Sequence, residues 1–255
     1  MRFVLVHGGF HGAWCWSRTV PELARLGHTA VAIDLPGHGQ RRDEPSRLAD
    51  RRDAIVEVVQ PGDVLVGHSG GGYDVTLAAD AAADQVRHVV YLAAGLPLEG
   101  RAVIEATGGT PRPSADEATQ LMDDETGMMR YIRALPDGRM EWVDFEGAWD
   151  FFYRDCDEVT ARWAFVRLTP APIEFVTEPV SVPRFWEADL PRSYILCLQD
   201  RAKPRQASEE VIARLGVEPL MIDTSHSPFL SRPAELAELL VAAVDTKPVG
   251  PLRRD

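Results

Sequence analysis

Short apolar runs punctuate the chain at 2–6 (RFVLV), 28–33 (HTAVAI), 63–66 (DVLV), 86–92 (VRHVVYL), 193–198 (SYILCL) and 217–222 (VEPLMI). Near-continuous apolar runs of this length are what strands buried on both faces require. Amphipathic segments at 16–26, 46–59, 70–83, 203–214 and 233–244 lie between them and predict helices. Strand and helix alternating in this way predict an α/β fold with a mostly parallel central sheet flanked by helices. The alternation breaks between 101 and 190, a stretch that holds 12 of the 20 aromatic residues and carries proline-punctuated pieces such as TPRP and LTPAP. It reads as a helical cap inserted between the two parts of a core spanning 1–100 and 191–245; the other reading is a second packing layer whose aromatics fill only its own interior. The end of the chain, 246–255 (TKPVGPLRRD), predicts a frayed, flexible tail.

Composition narrows the partners more than the fold. With 255 residues, 45% hydrophobic and 26% charged, one large domain buries its core without staples. Lys and Arg total 27 against 39 Asp and Glu, a net charge of −12, which sets the surface against phosphate backbones and anionic lipid. Nucleic acid and membrane are therefore not expected as partners. Cys15, Cys156 and Cys197 are odd in number and widely spaced, matching neither paired disulfides nor a zinc site, and point to a reducing, cytoplasmic setting. The strand-like opening leaves no room for a secretory leader, and no apolar run approaches the roughly 20 residues that span a bilayer.

Chemistry enters at Gly67-His68-Ser69-Gly70-Gly71, which follows the strand DVLV and opens a helix-like run. A G-x-S-x-G at a strand-to-helix junction is a nucleophile elbow, tight enough that the residues flanking the serine must be nearly free of side chain. Gly72 adds room for the helix to approach the strand. A serine hydroxyl needs a base and a carboxylate to orient that base. Of His7, His11, His28, His38, His68, His88 and His226, only His226 lies beyond the serine in a loop after a late strand. His28 and His88 sit in or at strands, and His68 occupies the variable elbow position. Asp200 closes the strand SYILCLQD and is the favoured acid; Asp223 and Glu99 are the rivals. An oxyanion hole would come from the glycine-rich turn His7-Gly8-Gly9-Phe10-His11-Gly12, with Gly9 favoured, and from the amide of Gly70. The same turn followed by Asp34 mimics a dinucleotide site, but HGGFHG does not fit G-x-G-x-x-G, and Asp34 leads into a turn.

Taken together, FVLVHGGFHGAWCW, GHTAVAIDLPGHG, VLVGHSGGG, LCLQDRAKP and DTSHSPFLSRP resemble the α/β-hydrolase superfamily, and within it the branch of plant methylesterases, hydroxynitrile lyases and their bacterial esterase relatives. The likeness covers about 1–100 and 190–245 and is loose through the cap. It implies Ser69 as nucleophile, Asp200 and His226 as its partners, and the Gly9 and Gly70 amides as oxyanion donors. The lyases of this branch place a lysine after the catalytic histidine and a threonine after the histidine of the first glycine turn; here those positions are Ser227 and Gly8. Gly70 also stands where the plant esterases often carry a larger residue.

The expectation is a serine hydrolase that cleaves a carboxylic ester, methyl or aryl, or a lactone, through an acyl-enzyme, with no metal or organic cofactor. Trp142, Trp149, Phe151, Phe152, Tyr153, Trp163, Met128 and Met129 suggest a small apolar or aromatic ester as substrate, although helical spacing makes several of them core. The oligomeric state, monomer or homodimer, stays open. A lyase or cyclase using the same Ser/His pair, and a ligand-binding receptor on the same fold, are the alternatives.

Overall fold

A computed structural model of the protein describes residues 1–107 and 127–255. Six strands, β1 (Arg2–Val6), β2 (Thr29–Ile33), β3 (Asp63–His68), β4 (Val86–Leu92), β8 (Arg192–Cys197) and β9 (Leu220–Ile222), form one sheet in the order β2-β1-β3-β4-β8-β9. Every pairing in it is parallel. Successive residues of each central strand point to opposite faces, and both faces are apolar. Val4, Val6, Leu65, Tyr91, Tyr194 and Leu196 enter one buried cluster, while Phe3, Leu5, Val64, Val66, Leu92 and Ile195 enter the other. This explains why the runs are continuous rather than alternating.

Helices cover both faces, as expected from the alternation. Among them are α1 (Thr19–Arg25), α2 (Leu48–Val56), α3 (Gly71–Ala81), α6 (Pro183–Ala188), α7 (Arg205–Leu215) and α9 (Pro233–Ala243). The first predicted helix divides into a 3-10 turn at Ala13–Arg18 and α1. Arg51 of α2 grips Asp74 of α3 through two 2.7 Å hydrogen bonds, with both side chains buried. Such fork-on-fork geometry offsets the desolvation that an unpaired charge would suffer there.

Between β4 and β8 the chain leaves the sheet. Its described part holds α4 (Phe145–Ala148), a π-helical turn at Trp149–Tyr153 and α5 (Glu158–Phe165). It also holds a three-stranded antiparallel sheet of β5 (Ile132–Ala134), β6 (Arg139–Trp142) and β7 (Ala171–Pro172), which the expectation of a helical insertion omits. Strands of two to four residues, one containing a proline, are too short to carry a period of two. Trp142, Phe152 and Tyr153 are buried and join the second sheet-face cluster, so these cap aromatics are core. TPRP lies outside the described residues. Near the end of the segment, Phe185 and Trp186 of α6 pack into the first cluster, and the Phe185 amide donates to Asp80 of α3.

The chain end differs from the frayed tail its composition predicts. Val249 and Gly250 amides donate to the Gly216 carbonyl at 2.8 and 3.0 Å, the Arg253 amide donates to Arg214 O at 2.8 Å, and Leu252 packs against the core. Two prolines, a glycine and a charged end hide this: the hydrogen bonds go to the end of α7 and the left-handed glycine after it, which no local pattern links to the tail.

Candidate active site

The chain runs from β1 outward to β2, then returns to the opposite side of β1 as β3. At such a switch point the loops leaving the carboxyl ends of two adjacent strands diverge and open a crevice. Here those loops are the glycine-rich turn after Val6 and the elbow after His68, with Val6 paired to Gly67 in register.

Ser69 stands at the elbow with φ 54°, a left-handed backbone that a serine adopts at a cost of about 1–3 kcal/mol. The surroundings hold it there. Its amide donates to Leu92 O at 3.1 Å, and its carbonyl accepts from the Gly72 and Gly95 amides at 3.1 and 3.0 Å. The flanking glycines are there because backbone approaches them: a Cβ on Gly67 would lie 2.6 Å from Gly71 O, and one on Gly71 would lie 2.6 Å from His7 O. Gly71→Ala is therefore expected to destabilise the fold by about 1–3 kcal/mol, read as a lowered midpoint in urea, because the neighbour is main chain that cannot rotate aside. A Cβ on Gly70, by contrast, would find Gly9 N at 3.8 Å as its only near neighbour, so this position has room for a side chain.

The loops after β8 and β9 are laced together by Leu198 N to Ile222 O and Gln199 N to Thr224 O, both 2.9 Å. The lacing brings Asp200 and His226 into contact: His226 Nδ1 donates to Asp200 Oδ2 at 2.7 Å with both side chains nearly fully buried. The other Asp200 oxygen accepts from the Lys203 amide at 2.9 Å. The rival acids are engaged elsewhere. Asp223 is exposed and accepts from Gln199 Nε2, while Glu99 accepts from Ser181 Oγ, the Val182 amide and Trp186 Nε1. His226 adjoins the elbow through His68, whose ring centroid lies 4.5 Å from that of His226 and whose Nε2 donates to the His226 carbonyl at 2.9 Å. Burial, with the His226 charge next, holds His68 well below the ordinary imidazole range, so it stays neutral.

The glycine-rich turn is fixed by two histidines that the sequence reading leaves without a role. The Leu35 amide donates to His7 Nε2 at 3.1 Å, so the proton sits on Nδ1, which donates to Gly8 O at 2.8 Å. In a trans peptide the N–H opposes the C=O, so anchoring Gly8 O aims the Gly9 N–H the other way. Burial pushes His7 down to about 4 and keeps it in this neutral form. His11 Nδ1 donates to Gly9 O at 2.8 Å, its Nε2 accepts from the Tyr153 hydroxyl at 2.8 Å, and burial pushes it down to about 3. Phe10 takes a left-handed φ of 64°, and its carbonyl accepts from the Thr169 amide. A signal for these roles does exist in the sequence: two histidines four residues apart bracket the turn.

Gly8 closes onto Ser69, since a Cβ there would lie 2.6 Å from Ser69 Cβ. Asp34 accepts from the Ala13 and Gln40 amides at 2.7 and 3.0 Å, a turn-organising role that leaves the dinucleotide reading without its ribose ligand. All three cysteines are unpaired and buried, and burial raises their thiols, Cys156 to about 12, which leaves them poor nucleophiles. Among the described residues no group of three or more His, Cys, Asp or Glu is placed to hold a metal, and no helix is long and apolar enough to cross a membrane.

Comparisons with known proteins agree with this fold. The model of the alpha/beta hydrolase family matches residues 3–239. The chain is 28% identical over 261 residues to methylesterase 7 of Arabidopsis thaliana, covering 96% of each protein. It is 28% identical over 259 residues to norfluorocurarine synthase 2 of a Strychnos species, covering 94% of this chain and 93% of that one. Among solved structures it is similar to an extracellular alpha/beta-hydrolase from a Paenibacillus species, with a TM-score of 0.78 at 24% identity, covering 96% of this chain and all of the other. With a match spanning the sheet, the elbow and the His226 loop, the chain belongs to the alpha/beta hydrolase family.

Proposed function

We propose that this protein hydrolyses a carboxylic ester through an acyl-enzyme on Ser69. The observation that carries the reading is the buried 2.7 Å Asp200–His226 pair, joined through His68 to the left-handed elbow that holds Ser69. His226 takes the hydroxyl proton as Ser69 Oγ attacks the ester carbonyl. Asp200 holds the Nδ1–H tautomer, leaving Nε2 to act as the base. The Gly9 and Gly70 amides receive the developing oxyanion, donors of a kind worth about 3–4 kcal/mol each. His226 then gives its proton to the leaving alkoxide, and water releases the acid by the same route.

The substrate we assign is a small, neutral ester with an apolar or aromatic group. Phe152 stands 5.8 Å from the His226 ring and 4.6 Å from Trp142, centroid to centroid, so an apolar wall meets the base. The net charge of −12 disfavours strongly anionic substrates. The relative named methylesterase 7 supports ester cleavage. Cyanohydrin chemistry lacks its cation, because Ser227 follows His226, and lacks space for the threonine at Gly8. Three unpaired cysteines support a cytoplasmic setting.

A second reading is favoured by the equal likeness to a protein named as a synthase: a lyase or cyclase in which His226 acts as base without water entering the product. Turnover of a panel of methyl esters, aryl esters and lactones in oxygen-18 water separates the two. The expected result is one solvent oxygen in each acid released. A product free of solvent oxygen would overturn hydrolysis in favour of the second reading.

A further inference from the structure

One turn of the cap touches both halves of the catalytic apparatus. At the end of the π-helical segment Trp149–Tyr153, the buried Tyr153 donates its hydroxyl proton to His11 Nε2 at 2.8 Å, and His11 in turn donates to Gly9 O at 2.8 Å. That path ends on the oxyanion turn. On the opposite side of the same turn, Ser225, the neighbour of His226, places its hydroxyl 3.1 Å from Phe152 O and against Asp155 Oδ1. The Phe152 ring lies between the two, 5.4 Å from the His11 ring and 5.8 Å from that of His226.

We propose that this turn is a positioning clasp, with Tyr153 acting through His11 on the oxyanion turn and Asp155 acting through Ser225 on the His226 loop. The inference rests on the hydrolase reading above and adds what sets the distance between oxyanion donor and base. The glycine turn and the His226 loop leave different strands, β1, second from one end of the sheet, and β9, at the other end, with β3, β4 and β8 between them. No strand pairing joins them directly. The cap turn does, within four residues, and it does so with side chains whose hydrogen-bond roles are fixed. His11 is neutral, its Nδ1 proton committed to Gly9 O, so its Nε2 has only acceptor capacity and Tyr153 must be the donor. Asp155, facing a hydroxyl, is the acceptor. A misplacement of about 1 Å between reacting groups costs on the order of 10²-fold in rate, so a grip on both loops is felt at the chemical step.

The test uses the full-length protein and two readouts: steady-state hydrolysis of the best ester in the panel, and the rate of Ser69 labelling by a fluorophosphonate probe. In labelling, a Ser69 Oγ–P bond forms, fluoride leaves and the proton passes to His226, so the readout needs the base and the oxyanion donors but not the native substrate. Tyr153→Phe keeps the ring and removes one O–H. The expected result is a kcat lowered about tenfold or more with KM within twofold, a parallel fall in labelling rate, and an unfolding midpoint close to that of the parent. Ser225→Ala is expected to behave alike. Asp155→Asn, which keeps an acceptor oxygen, should stay within about threefold of the parent, whereas Asp155→Ala should not. Variants that lose thermal stability while labelling at the parental rate would make the turn a mere anchor for the cap and overturn the clasp alone. A parent chain that neither labels at Ser69 nor turns over any ester would overturn the hydrolase reading, and the clasp with it.

Discussion

Replacing Ser69 with alanine is expected to lower kcat/KM for a chromogenic short-chain ester by about 10⁴- to 10⁶-fold, with the thermal unfolding midpoint unchanged or raised. The argument is geometric. Ser69 is the residue placed at the left-handed turn between β3 and α3, and its backbone partners, Leu92 O and the Gly72 and Gly95 amides, use main-chain atoms that alanine keeps. Only Oγ is lost. The three thiols cannot substitute, being buried and raised in pKa. His226→Ala should fall to a similar level, and the double variant no lower, because nucleophile and base act as one unit. Asp200→Asn should cost less than either but still on the order of 10³- to 10⁴-fold, since an amide facing Nδ1 at 2.7 Å favours the wrong imidazole tautomer. Activity retained in Ser69→Ala would sink the mechanism.

The second large effect concerns stability in acid. His7, His11, His38, His68 and His88 are all buried and all shifted down by that burial, His7 and His88 to about 4 and His11 to about 3. In the unfolded chain each titrates near 6.5. As pH falls from 6.5 toward 4, the unfolded state binds protons that the native state refuses, so the folded state loses ground. The stability these groups permit is complete above about 6.5 and declines below it, each histidine contributing a slope of more than about 1 kcal/mol per pH unit once the unfolded form is charged. Several such slopes acting together erode a total of about 5–15 kcal/mol within two pH units. The melting temperature is expected to be flat above pH 7 and to drop steeply between 6 and 4.5. His88→Gln, on a strand away from the catalytic loops, should make the drop shallower by about one proton. A melting temperature unchanged down to pH 4.5 would contradict the neutral burial of these rings.

The core of the molecule was legible because its signals are local. RFVLV, DVLV and VRHVVYL are continuous apolar runs whose alternate residues the structure sends to opposite sheet faces. The elbow glycines announce a turn so tight that Gly67 and Gly71 meet main chain at 2.6 Å if given a Cβ. Asp200 stands apart from Asp223 in the sequence because it ends a strand, and in the structure it accepts from His226 Nδ1 at 2.7 Å. What the sequence hid was long-range. Tyr153 and His11 are 142 positions apart, and Ser225 and Asp155 are 70 apart, distances over which no periodicity links donor to acceptor. The cap sheet leaves no trace in the pattern because strands of two to four residues are too short to establish an alternation. His7 and His11 carry no local signal beyond their four-residue spacing, and in the structure they hold peptide planes in place.

The crowding at Gly8 also bears on how this scaffold can change over evolutionary time. With Ser69 Cβ 2.6 Å from where a Cβ would stand, any side chain at position 8 demands that the turn or the elbow retreat first. The order of change is therefore constrained: the backbone of the turn or of the elbow must shift before position 8 can accept any larger residue, so a single substitution there is blocked until a second one elsewhere has made room.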